Sequence, residues 1–76
     1  MSKKSKREER IRRNRSNVSL EDFEALIREY GYIKEGSKHP QAIIGNRVMT
    51  YKRENPVKSV YINGILKMID NTQGVH

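Results

Sequence analysis

The sequence predicts a small α+β domain in which a three-stranded antiparallel sheet carries two helices on one face. Three observations lead there. Residues 19–30 repeat apolar side chains at helical spacing, residues 32–52 hold three short β-prone runs in succession, and residues 57–69 return to a helical period. A three-stranded antiparallel sheet can bury one face under two helices and leave the other open.

The first helix is the best defined. Ser19 is a good N-cap, and Asp22 three residues on makes an acidic variant of the capping box. Leu20, Phe23, Ile27 and Tyr30 then fall on one face, with Leu26 beside them. Gly31 is expected to end the helix in a left-handed conformation. Tyr32-Ile33-Lys34 is the first β-prone run. Residues 41–44 and 47–52 are the next two, joined by Gly45-Asn46. Glycine first in a two-residue turn is the type II′ signature, so 41–52 reads as a hairpin.

The last element has two readings. Asn55-Pro56 resembles a cap with proline at the first helical position, and Val57, Tyr61, Ile65, Met68 and Ile69 follow a helical period. Asn63-Gly64 is equally a hairpin turn signal, with Val60-Tyr61-Ile62 and Ile65-Leu66 as its arms. A glycine inside a helix costs about 1 kcal/mol relative to alanine. With the helix taken, the order is α-β-β-β-α.

A chain of 76 residues holds one domain at most. Such a chain buries only about 60% of its unfolded surface, so the core is thin. It has no cysteine, which excludes disulfides and thiolate metal sites. No apolar run reaches membrane-spanning length and no signal-peptide segment opens the chain, so a soluble, cytoplasmic protein is expected.

The net charge of +7 is unevenly placed. Residues 1–16 hold eight Lys/Arg against Glu8 and Glu9. They read as a basic, disordered tail that attracts phosphate polymers without reading sequence, or as a helix formed only on binding. Within the body, Glu21, Asp22, Glu24 and Glu29 face only Arg28 over residues 20–30. Lys34, Lys38, Arg47, Lys52, Arg53 and Lys58 dominate residues 34–58. Two surfaces of opposite sign are expected, the basic one suited to a polyanion.

His39, in Gly36-Ser37-Lys38-His39-Pro40, is the only histidine inside the body of the chain; His76 is terminal. Pro40 pushes His39 toward an extended conformation and belongs at a strand's start or edge. Taken alone, His39 reads as a half-exposed turn residue. Its chemistry also suits RNA strand cleavage. Attack of a 2′-hydroxyl on the neighbouring phosphate needs a base, an acid and positive charge, and histidine titrates in the neutral range. Lys38, Lys52 and Arg53 are candidates to hold the phosphate, Arg53 in a bidentate way, with Gly36 offering close backbone approach. Tyr32 and Tyr51 are candidate base-stacking surfaces, though small sheets commonly use tyrosine for packing. No set of ligands has recognisable metal spacing, and a metal-free reaction without cofactor is expected.

Gly36-Ser37-Lys38-His39, the hairpin, Asn55-Pro56-Val57-Lys58 and a final helix led by Val60-Tyr61 and ending near Ile69-Asp70 together resemble the HicA-type (YcfA-like) mRNA interferase toxins. The lead-in IRRNRSNVSLEDFEALIREYGY is also similar to that family's, and the resemblance runs from about Ile11 to Asp70. It implies an α-β-β-β-α fold similar to a double-stranded-RNA-binding domain, with a helix from about 57 to 70. It implies an endoribonuclease that cleaves mRNA without a ribosome and is neutralised by a HicB-type antitoxin. It gives His39 the catalytic role, and Gly36, Ser37, Lys38, Lys52 and Arg53 are the RNA contacts expected around it from residue chemistry and position. Two features depart from the family pattern. Pro40-Gln41 follow the histidine where an aromatic is usual, and Lys52-Arg53-Glu54-Asn55 supplies no second histidine. On this reading, 1–16 is tail, 17–70 the HicA-like domain and 71–76 a frayed end. A non-catalytic RNA-binding module of the same fold is the alternative, and a domain that merely presents its tail to an acidic partner protein or a nucleic acid is a third.

Overall fold

A computed structural model describes residues 5–36 and 38–73. The element order is α1 (Lys6–Arg13), α2 (Leu20–Tyr30), β1 (Tyr32–Lys34), β2 (Gln41–Ile44), β3 (Arg47–Thr50) and α3 (Ser59–Gln73). The sheet is antiparallel with order β1-β2-β3. Helix α2 packs on β1 and β2, and α3 on β2 and β3. The α+β architecture therefore stands, with one helix more than the sequence pattern suggested. Among the described residues, no helix is long and apolar enough to cross a membrane.

The core follows from two periodicities meeting. Alternation in β2 turns Ala42 and Ile44 inward, where they meet Phe23, Leu26 and Ile27 of α2 and Ile62, Ile65, Leu66 and Ile69 of α3. Each such large apolar side chain contributes roughly 1.5–3 kcal/mol by leaving water. Ser19 caps α2 as its sequence indicates, its hydroxyl accepting the Asp22 N–H at 3.1 Å. The β2–β3 turn is also as expected: Gly45 has φ +64° while Asn46 keeps a negative φ, the type II′ arrangement.

From residue 5 on, the N-terminal segment corrects the expectation of a disordered tail over 1–16, whose first four residues lie outside the described ones. Residues 6–13 form α1, which packs on α2. Ser5 caps it, accepting the Glu8 N–H at 3.0 Å, and its charges suit the helix dipole, Glu8 and Glu9 early and Arg10, Arg12 and Arg13 late. Ile11 is buried in the common core, and Glu8 is 1% exposed. Glu8 accepts hydrogen bonds from Tyr30 and from Arg12, whose other end reaches Asp70 at 2.8 Å. Arg7 pairs with Glu29 at 2.6 Å and Arg10 with Asp22 at 2.9 Å. Arg7 and Arg10 thus lie on the acidic face of α2 and pair with its carboxylates.

Three smaller corrections concern helix ends. Gly31 has φ −164°, not a left-handed value. Glycine fits there because a Cβ would run into the Ile43 carbonyl oxygen, where α2 ends hard against β2. Asn55-Pro56 joins through a cis peptide and lies before α3. The Asn55 side-chain oxygen instead accepts the Leu20 N–H at 3.3 Å, and Val57 N–H reaches the Val18 carbonyl at 2.8 Å. This Val18–Val57 bridge holds the chain extended, so α3 starts at Ser59 rather than 57. At the other end the helix runs on to Gln73, through residues expected to fray.

Candidate functional site

Strand register brings the sequence-predicted residues to one end of the sheet. Lys34 pairs with Gln41, and Gln41 with Thr50. The β1–β2 loop (35–40) and the segment after β3 therefore leave the sheet side by side. The Pro40 carbonyl accepts the Tyr51 N–H at 3.1 Å, which carries the pairing one step beyond the strands. Pro40 is buried and needs no partner for a missing N–H, so the residue after His39 is fixed at the strand's start as expected.

His39 itself is exposed, and among the described residues it has no hydrogen-bond partner. The backbones of Gly36 and His39 approach each other closely. A Cβ at Gly36 would overlap the His39 carbonyl oxygen, so glycine is required for the close approach of these two backbones. Lys38 and Lys52 are exposed, with no ion pair among the described residues. Ser37, also assigned to RNA contact from the sequence, lies outside the described residues.

Tyr51 and Tyr32 divide the roles considered for them. Tyr51 is buried, its ring edge-on to Phe23 with centroids 5.0 Å apart, and its hydroxyl donates to Glu24 at 2.6 Å. It is a packing residue that anchors the segment carrying Lys52 and Arg53. Tyr32 is 58% exposed and in register with Ile43 and Val48, so it remains available for stacking.

Arg53 differs most from the sequence reading of a free phosphate ligand. Its Nε donates to Glu24 at 2.7 Å, while Nη1 and Nη2 donate to the two oxygens of Glu35 at 2.9 and 2.7 Å. The guanidinium joins α2, the start of the β1–β2 loop and the segment after β3. Its hydrogen bonds hold the Glu35 carboxyl below the usual range. Burial pushes the Glu24 carboxyl up, but hydrogen bonds from Tyr51 and Arg53 and the nearby guanidinium charges outweigh it, and the net shift is downward. Burial, followed by the hydrogen bond to Glu24, raises the Tyr51 phenol well above its ordinary range. Glu24 and Glu35 were not singled out from sequence. The available signal was the acidic run of residues 20–30 followed by the basic run of residues 34–58, which reads as pairing as readily as separation.

The site thus combines an exposed histidine on a tight loop, two lysines without ion pairs and an arginine held by two carboxylates. No family model, curated protein or solved structure matches this chain.

Proposed function

We propose that this chain is a metal-independent endoribonuclease acting on mRNA, a toxin of HicA type. The observation that carries the reading is the convergence at one sheet end of exposed His39 with Lys38 and Lys52, on a loop fixed by Gly36 and Pro40. In the proposed reaction, His39 takes the proton of a ribose 2′-hydroxyl as that oxygen attacks the adjacent phosphorus. The bond from phosphorus to the 5′ oxygen breaks, water supplies the leaving oxygen's proton, and a 2′,3′-cyclic phosphate and a 5′-hydroxyl end result. Lys38 and Lys52 offset the charge gathering on the phosphate oxygens. The sequence resemblance adds a cytoplasmic setting and a HicB-like antitoxin as inhibitor.

The test is incubation of the protein with mRNA in EDTA beside a His39→Ala control. Intact RNA with wild type, or equal cutting by the variant, refutes the assignment.

A second reading is a non-catalytic RNA-binding module. It is favoured by the lack, among the described residues, of any hydrogen-bonded acid–base partner for His39. It predicts salt-sensitive RNA binding that survives His39→Ala, without cleavage.

A further inference from the structure

We propose that the Nη1/Nη2 fork of Arg53 is a masked phosphate site, occupied at rest by Glu35 and opened when an RNA phosphodiester displaces that carboxylate. The inference rests on the reading that this end of the sheet meets RNA.

The geometry gives the two ends of Arg53 different standing. Glu24, whose side chain is 13% exposed, holds Nε and is itself held by the Tyr51 hydroxyl. That end fixes the plane and direction of the guanidinium. Glu35 holds the other end through a two-oxygen contact, yet its side chain is 66% exposed. A phosphate offers the same pair of oxygens to the same fork. Losing Glu35 therefore leaves Arg53 oriented, because its anchor is separate. An exposed carboxylate is also the easier partner to displace, since water takes over much of its solvation.

Location gives displacement a consequence. Glu35 immediately precedes Gly36, whose backbone packs against the His39 carbonyl. The carboxylate on Arg53 thus ties down the entry to the loop that carries His39. Capture of a phosphate by Arg53 releases that tie at the moment a substrate strand arrives. Lys38 and Lys52 lie exposed at the same end and favour an incoming polyanion over a single internal carboxylate.

The experiment compares wild type, Glu35→Gln, Glu35→Gln/Arg53→Gln and Glu35→Gln/Arg53→Lys for binding to a labelled single-stranded RNA across a salt series. Glu35→Gln is expected to bind about two- to fivefold tighter, the range set by removing an exposed competing ion. Its logarithmic salt slope is expected to match wild type, because Arg53 meets the phosphate in both proteins, whereas Glu35→Gln/Arg53→Gln, which lacks that contact, is expected to be shallower by about 0.7 on a single strand. Both double variants are expected to lose the gain. The lysine version keeps the charge but not the fork, and it carries the comparison if the glutamine version is poorly folded by circular dichroism. An unchanged affinity in Glu35→Gln, or a gain that persists in the folded double variants, overturns the proposal. Cleavage by wild type without that gain removes the masked site and leaves the nuclease. An Arg53-dependent gain without wild-type cleavage removes the nuclease and leaves the site. Absence of RNA binding in wild type and Glu35→Gln overturns both.

Discussion

The Tyr30 hydroxyl donates a hydrogen bond to the carboxylate of Glu8, and this contact makes the basic N-terminal segment part of the domain. Glu8 is enclosed between α1 and α2, and Arg12 links the same carboxylate onward to Asp70 of α3. Three helices therefore share one buried charge. Truncating it strands the phenol and leaves Arg12 with Asp70 alone. We predict that Glu8→Ala lowers unfolding free energy by about 3 kcal/mol, the lower end for breaking a buried pair because Arg12 retains Asp70. Tyr30→Phe should cost about 1 kcal/mol, the usual value of one hydrogen bond. Deleting residues 1–16 also removes Ile11 from the core and should abolish cooperative unfolding. Urea denaturation followed by circular dichroism measures all three, and a truncated chain as stable as the full one would refute the account.

Alkaline pH tests the same contact from the other side. Burial, then the hydrogen bond and charge of Glu8, pushes the Tyr30 phenol up to about 12. The folded state holds this proton more tightly than the unfolded state. The associated stability is complete below the ordinary tyrosine value of 10.0 and is lost as pH rises toward about 12. Tyr51 shifts in the same direction. The expected outcome is a steep fall in the urea midpoint above pH 10, shallower in Tyr30→Phe. An equally steep fall in that variant would mean that Tyr30 is not responsible.

Acid acts through Arg53. Glu24 and Glu35 both sit below the ordinary carboxyl value of 4.5, so the unfolded chain binds their protons more tightly. Stability from these groups is fully present above 4.5 and drains away as pH falls through the folded values. Arg53→Gln removes a major cause of both shifts, and the acid limb of its stability curve should flatten relative to wild type. Parallel curves for the two proteins below pH 5 would contradict the assignment.

What could be read in the sequence was what depends on neighbours along the chain. Ser19 and Asp22 start a helix, and Gly45-Asn46 closes a hairpin, through contacts within a few residues. The errors all involve distant partners. Ile11 looked like one apolar residue in a charged run, yet it found a core built by elements far away in sequence. Asn55 has the chemistry of an N-cap, but the N–H it serves belongs to Leu20, 35 residues earlier. Gly64, open to a turn or a helix by local pattern, lies inside α3, where a Cβ would come within 2.7 Å of Met49 Sδ, a neighbour that only the fold supplies. At the site, His39, Lys38 and Lys52 could be chosen by residue type, whereas the occupancy of Arg53 by two carboxylates depends on the docking of α2.

Gly36 offers a way to separate the loop's shape from its chemistry. A methyl group at this position cannot fit while the His39 carbonyl stays where it is, so Gly36→Ala must shift the backbone that leads to the imidazole. Both residues are exposed, and the core lies below Pro40 and Tyr51, so the fold should survive with a loss no greater than about 1–3 kcal/mol, the range for a strained extra methyl. Cleavage should suffer more. Misplacing a reacting group by about 1 Å can cost up to about 10²-fold in rate. We therefore expect Gly36→Ala to unfold cooperatively, to bind RNA within a few fold of wild type through Lys38 and Lys52, and to cut it at least tenfold more slowly. Single-turnover cleavage with saturating protein reads the chemical step apart from binding. If Gly36→Ala cuts at the wild-type rate under those conditions, the position of His39 is not what limits the reaction, and the histidine's proposed role falls with it.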